Sequence, residues 1–153
     1  MIRPAKLEDV LSLMPLTKEF HYAAGAKRDA LYEDSMEHWA RWLITCITDP
    51  TKLCLLAEES GSPVGFLTAI SAPVFWNPAV KVAAETVLWV TPSARGSGVG
   101  SALVQNLVNW AKEQGCSIVS AGANSKLGTK TVGKLLRKNG FELEEKIYAK
   151  RLK

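Results

Sequence analysis

Histidine and cysteine, the side chains that most often carry metal or nucleophilic chemistry, are scarce: two histidines and three cysteines in 153 residues. Cys46, Cys54 and Cys116 are odd in number, scattered and set in apolar segments, which predicts buried free thiols rather than a disulfide framework. With only His21 and His38 beside them, no metal site is expected. No cysteine has the electropositive setting of an acyl-accepting nucleophile. No apolar run approaches the length of about 18 residues that a membrane span requires, and the first residues lack the basic-then-apolar plan of a signal peptide. Low-complexity tracts and internal repeats are also missing. The expectation is a cytoplasmic protein with no membrane partner.

What is present is ordinary folded composition, 47% apolar and 22% charged, in a length that predicts one domain over residues 1–153. The net charge is +4, and nine of the nineteen basic residues fall between Lys126 and Lys153. Lys126, Lys130, Lys134 and Lys138 repeat every fourth residue, as one face of a helix would. That stripe reads as a solvated face or as a meeting place for an acidic partner. The lysines have no aromatic residues between them to stack on bases, which argues against nucleic acid as that partner.

Residues 1–4 read as a short strand and 7–17 as a helix with Val10, Leu13 and Met14 inward, which Pro15 should kink or shorten. The irregular stretch 20–28, with Tyr22, follows. Asp34 and Glu37 form a cap pair for a helix carrying Met36, Trp39, Leu43, Cys46 and Ile47 at helical spacing, stopped by Asp49-Pro50. Trp39 and Trp42 read as core there, although a ligand-facing role stays open. Residues 53–57 and 64–70 are strands joined by a turn at Ser60-Gly61-Ser62-Pro63. The interruption at 72–78 exposes Phe75 and Trp76, either as a lid over a binding site or as caps on the sheet edge. Residues 81–90 make a central strand, 101–114 a helix ended by Gly115, 116–121 a buried strand parallel to the central one, and 129–138 the last helix. Residues 141–143 and 146–152 are expected to close the sheet as an antiparallel pair.

The organising stretch joins the central strand to its helix. Val87, Leu88, Trp89 and Val90 suit a buried strand, Thr91-Pro92-Ser93 ends it, and Arg95-Gly96-Ser97-Gly98-Val99-Gly100 turns directly into the helix. The glycines permit a tight turn and close ligand approach, and the helix presents its free N–H groups, including that of Ser101, to the same corner. The helix dipole and Arg95 make a phosphate or pyrophosphate the natural guest. A dinucleotide fingerprint fails because Ser101 stands where its third glycine belongs. The nucleotide-triphosphate loop fails because Gly122 and Gly128 are one residue too far apart and Thr129 separates Gly128 from Lys130. A serine-hydrolase elbow fails because Arg95 and Val99 occupy its glycine positions. Glu85 is a carboxylate within an otherwise apolar strand, and such an acid is either satisfied by a partner or functional.

The run Arg95-Gly96-Ser97-Gly98-Val99-Gly100, after Val90-Thr91-Pro92 and before an amphipathic helix, resembles the acyl-coenzyme A loop of the GNAT superfamily of N-acetyltransferases. Arg95, Gly98 and Gly100 match its defining positions, and Asn139-Gly140-Phe141 extends the likeness, which is closest to small phage and bacterial members. The resemblance implies an α/β (α+β) fold with a mixed, mostly antiparallel, splayed sheet of about six to seven strands and about four helices. It implies transfer of an acetyl group from acetyl-coenzyme A directly to an amine, on a small molecule or a protein. Gly96, Ser97, Val99 and Ser101 would join the three matched residues around the cofactor, with Leu88, Trp89 and Val90 along its pantetheine arm and Asn124 near it. Glu85 would be the general base, acting through a water. Tyr22, Phe75 and Trp76 would border the acceptor, in a region to which residues 20–28 also contribute. A lysine amine is neutral in only about one molecule in 2,500 at pH 7, against about one in seven for an α-amine, so a base matters most for lysine. The family's general-acid tyrosine falls on Leu136 here, with Tyr22, Tyr32 and Tyr148 as unaligned substitutes. That departure keeps open a non-catalytic acyl-coenzyme A sensor or interaction module. A homodimer is compatible with all of this.

Overall fold

The structure is a computed structural model that describes residues 1–25, 35–124 and 127–152. The expected cap residue Asp34, Tyr32, residues 26–28 of the acceptor-wall stretch and Lys126 lie outside the described residues. A five-stranded sheet runs in simple sequence order, β1 (Ile2–Pro4), β2 (Lys52–Glu59), β3 (Ser62–Val74), β4 (Asn77–Val90) and β5 (Ile118–Ser120). All neighbours pair antiparallel except β4 and β5, which are parallel. Helices α1 (Val10–Ala24) and α2 (Met36–Thr48) pack on one face, and α3 (Val99–Glu113) packs on the other with α4 (Thr129–Lys138) beside it.

Alternation along β3 and β4 divides the core between the two faces. Phe66, Val87 and Trp89 point toward α1 and α2, where they meet Leu13, Leu16, Leu43 and Cys46. Leu67, Ala69, Leu88 and Val90 point toward Leu103 and Leu107 of α3. One glycine is fixed by this packing. A Cβ on Gly65, opposite Val90, would lie 2.8 Å from the Trp89 carbonyl oxygen, a backbone atom that cannot swing aside. Gly65→Ala is therefore expected to lower stability by about 1–3 kcal/mol in urea unfolding, the range for overpacking.

An ion-paired clamp fastens the first strand. Arg3 donates to both oxygens of Asp9, at 2.7 and 2.9 Å, and to both of Glu58, while the Lys6 amide also donates to Asp9. These hydrogen bonds hold the Asp9 carboxyl at a pKa of about 2, below the usual carboxylate range.

The structure departs from the sequence expectations in several places. Helix α1 continues through Pro15 to Ala24, because an exposed proline loses only one ladder bond there while the buried flank of Leu13, Met14, Leu16 and Thr17 holds the helix on the sheet. Ser35 caps α2, its hydroxyl accepting from the His38 amide. The expected break at 72–78 is the tip of one long hairpin formed by β3 and β4. The expected buried strand at 116–121 is only Ile118–Ser120, and Ile118 is half exposed because no further strand covers β5 among the described residues. Segment 141–152 has no strand, so the described sheet has five strands rather than six or seven. A three-residue β5 offers a short ladder to a segment that carries Glu142, Glu144 and Glu145. Among the described residues no helix is long and apolar enough to cross a membrane.

Candidate active site

The sequence from β4 to α3 forms a pinned corner. Thr91 and Ala94 are buried, a single 3-10 turn spans Pro92–Ala94, and the Ser97 hydroxyl donates to the Ala94 carbonyl at 2.6 Å. Gly96 and Gly98 have φ of +83° and +95°, a left-handed backbone that disfavours side chains, and a Cβ at either would meet only open space. Gly100 differs, since its Cβ would come within 3.2 Å of Leu135 on α4. Two of the three loop glycines thus serve the turn, and the third serves helix packing. Gly98 caps α3 without a side-chain bond, so the amides of the first turn, at Val99, Gly100 and Ser101, remain available at the positive end of the helix dipole. The Ser101 hydroxyl is held instead by Asn139, whose amide nitrogen is 2.9 Å away.

Arg95 is positioned rather than loose. Its Nε donates to the Val90 carbonyl at 3.0 Å, and its guanidinium lies 4.8 Å above the centre of the Trp89 ring. Trp89 is almost fully buried, donates its indole N–H to Glu19 of α1 at 3.0 Å and meets Phe20 edge-on. Sequence reasoning assigned Trp89 by its backbone alone and missed Glu19. Its only signal was that Leu13, Leu16 and Phe20 stripe the α1 face that Glu19 borders.

Glu85 stands where the two parallel strands part. The ladder between β4 and β5 has three steps, the last being Ala84 opposite Ser120. At the next residue the Glu85 carboxylate takes over, accepting the Gly122 amide at 3.0 Å. A bulge marks the same place, because Thr68 pairs with Val87 and Ala69 with Glu85, leaving Thr86 extra, with its hydroxyl 2.7 Å from that of Thr68. From Glu85 to Val90 the β5-facing edge of β4 has no strand beside it among the described residues. Burial pushes the Glu85 pKa up, and the Gly122 N–H partly offsets that rise. Pairing with Ala69 puts Glu85 on the α3 side of the sheet.

On the opposite side, between the end of α1 and α2, lies a cavity of about 370 Å³ lined by His21, Ser35, His38, Trp39 and Trp42. Among the described residues its lining holds no carboxylate or ammonium side chain. His21 Nε2 accepts the Trp39 indole N–H, and because an indole only donates, the neutral ring carries its proton on Nδ1. That Nδ1–H is buried with no hydrogen-bond partner among the described residues. The Ser35 hydroxyl lies 2.6 Å from His38 Nδ1.

The remaining candidates are spread out. Tyr22 is exposed on the last turn of α1, one residue from His21. Phe75 and Trp76 lie at the hairpin tip, with strand residues 77–84 between them and Glu85. Asn124 follows β5, its carbonyl accepting the Leu127 amide at 3.1 Å. Leu136 is a buried core residue. Cys46 and Cys54 are buried, with their thiols pushed up to a pKa of about 12. Among the described residues no group of three or more His, Cys, Asp or Glu side chains is placed to hold a metal ion.

The model of the acetyltransferase (GNAT) family matches residues 11–141. The chain belongs to that family. Its mixed, mostly antiparallel sheet and the four helices among the described residues are those expected of the family. It is 28% identical over 118 residues to an uncharacterized N-acetyltransferase of Methanocaldococcus jannaschii, covering 74% of this chain and 50% of the relative. The chain thus spans about half the length of that curated relative. Among solved structures, a ribosomal-protein-alanine N-acetyltransferase from Brucella melitensis biovar Abortus matches with a TM-score of 0.76 at 20% identity, covering 99% of each chain. A predicted acetyltransferase of Clostridium acetobutylicum, solved with acetyl-CoA, matches at 0.78 with 19% identity, covering 99% of this chain and 96% of that one. An aminoglycoside 6'-N-acetyltransferase of Acinetobacter haemolyticus matches at 0.73 with 22% identity, covering 100% and 99%. At these identities the structural likenesses establish the fold.

Proposed function

We propose that this acetyltransferase moves an acetyl group from acetyl-coenzyme A directly to the nitrogen of an amine, with Glu85 as the base. The observation that carries the reading is the placement of a carboxylate of raised pKa where β4 parts from β5. In this reading the pyrophosphate lies against the amides of Val99, Gly100 and Ser101, with Arg95, Gly96, Ser97 and Gly98 completing the loop. The pantetheine arm takes up the open β4 edge at Leu88, Trp89 and Val90, and Asn124 lies near it. The amine attacks the thioester carbonyl carbon, a backbone N–H near Val90 stabilises the oxyanion, and Glu85 removes the nitrogen's proton through a water. Carbon–sulfur cleavage then releases the coenzyme A thiolate, which takes its proton from solvent because Leu136 supplies none. The high thiol pKa values of Cys46 and Cys54 argue against an acetyl-cysteine intermediate.

The cavity beside α2 lies on the sheet face opposite Glu85, so its lining bears on the body of the acceptor rather than on the reacting nitrogen. Two indole rings, two imidazoles and a hydroxyl suit a single amine on an apolar or aromatic body, such as a small arylalkylamine or a peptide N-terminus. The polycationic aminoglycosides of the Acinetobacter relative would want carboxylates there. In a panel containing tryptamine, phenethylamine, an alanyl peptide and kanamycin, kcat/KM is expected to be at least roughly tenfold higher for the arylalkylamines or the peptide than for kanamycin. Preference for kanamycin would overturn this choice of acceptor. Leu136 favours one other reading, an acyl-coenzyme A sensor, which predicts cofactor binding without turnover of any amine in the panel.

A further inference from the structure

The cavity between α1 and α2 is bordered by one polar atom that the protein leaves without a partner. Among the described residues, His21 Nδ1 is the one fully buried side-chain nitrogen or oxygen that lacks a hydrogen bond. Buried polar groups are almost always paired, so an exception in the wall of a cavity is a natural contact for a ligand atom. Its neighbours in the lining are already engaged, the Ser35 hydroxyl with His38 Nδ1 at 2.6 Å and the Trp39 indole with His21 Nε2.

The imidazole is held in this pose. Its Nε2 accepts from Trp39, which keeps the proton on Nδ1. The rings of Phe20 and Trp39 stand edge-on to it, with centres at 5.9 and 5.1 Å. Turning the ring over would give up the Trp39 bond, so the donor is fixed in place before any ligand arrives. Phe20 also ties the cavity to the strand assigned to the cofactor, its ring meeting Trp39 at 6.1 Å and Trp89 of β4 at 6.2 Å between centres.

The lining selects the ligand atom. It must accept a hydrogen bond. A carboxylate would enter a cavity whose described lining holds no lysine or arginine, and would stay unpaired. A hydroxyl would bring a donor that needs a partner of its own. An amide carbonyl only accepts, and its flat group packs against indole faces such as those of Trp39 and Trp42. We propose that His21 determines acceptor specificity, its Nδ1–H donating to a backbone carbonyl oxygen of a peptide whose terminal amine is acetylated. The proposal rests on the acetyl-transfer reading above and narrows its acceptor from arylalkylamines and peptides to peptides.

The test compares phenylalanyl-alaninamide with phenethylamine, which has the same benzyl side chain and amine but no carbonyl. The readout is the ratio of their kcat/KM values with the full chain and acetyl-coenzyme A, in which any change common to both amines cancels. His21→Gln puts an acceptor near the Nε2 position for Trp39 and removes the Nδ1 donor, and the ratio is expected to fall about tenfold. His21→Asn keeps a donor near Nδ1 and gives up the Trp39 acceptor, and the ratio should fall less than in His21→Gln. A purely structural histidine predicts the reverse order. If His21→Gln fails to fold, the Nδ1 proton of the wild type is followed by nuclear magnetic resonance with coenzyme A bound. The peptide amide is expected to move that signal downfield and phenethylamine to leave it in place. An unchanged ratio in His21→Gln, a larger fall in His21→Asn, or an Nδ1 proton indifferent to the peptide amide would each overturn the proposal while leaving acetyl transfer intact. Turnover of neither amine would overturn the acetyl-transfer reading and this proposal with it.

Discussion

Replacing Glu85 with glutamine is expected to lower kcat by about 10²–10⁴-fold, the usual contribution of a positioned base, while leaving the fold as stable as before or more so. Glutamine keeps an oxygen to accept the Gly122 amide and removes only the charge. Burial raises the Glu85 pKa in the folded chain, so the folded protein keeps this proton at pH values where the unfolded chain has lost it. Its contribution to stability is thus present below the ordinary carboxylate pKa and declines as pH rises through the folded value. Above the folded value the ionised group is a cost, and Glu85→Gln removes it. Activity runs the other way. In the wild type kcat/KM should rise with pH through a limb displaced above the usual carboxylate range, and in the variant that limb should vanish. Urea unfolding and a pH–rate profile on the same two proteins check both halves. A variant that loses stability but keeps its rate would make Glu85 a brace between β4 and the chain after β5, and the base would have to be sought elsewhere.

Gly98→Asp is expected to weaken acetyl-coenzyme A roughly tenfold to a hundredfold with little change in thermal midpoint. A Cβ at this position meets nothing within 4 Å, and aspartate tolerates the left-handed φ of +95° better than most residues. The new carboxylate would cap α3, taking the amides that the pyrophosphate is proposed to use and repelling its charge. What the helix gains from the cap offsets part of the strain in the turn. Gly100→Ala provides the contrast, because it presses on Leu135 at 3.2 Å and should act on stability. Calorimetric titration and thermal unfolding of the two variants separate a glycine kept for the ligand from one kept for packing.

The order of elements and the loop were legible because each rests on local physics. Apolar periodicity gave α3 and α4 to within a residue or two, and the glycines placed the turn between β4 and α3. The acid in an apolar strand singled out Glu85, yet its partner Gly122 lies 37 residues away, and no local pattern announces a hydrogen bond that bridges two diverging strands. Trp89 and Glu19 are 70 residues apart and meet only after α1 packs on the sheet. The hairpin tip was read as a loop because prolines at 73 and 78 ordinarily break strands. Here they stand near the hairpin tip, which β2 and β5 do not reach and where a missing amide donor costs little. At the other end of the chain, residues 141–143 and 146–152 were expected to close the sheet as an antiparallel pair, but a segment pairs only where the sheet offers an edge long enough to receive it. Leu136, which the resemblance puts at the family's tyrosine position, is buried, as its spacing on the last helix predicts.

The most direct measurement is a calorimetric titration of the wild-type protein with acetyl-coenzyme A, followed by addition of tryptamine or an alanyl peptide to the loaded protein and quantitation of free thiol and acetylated amine. The account predicts one cofactor bound per chain, then equal amounts of thiol and acetylated amine, released faster as pH rises through the Glu85 limb. No binding of acetyl-coenzyme A, or thiol released without acetylated amine, would contradict it.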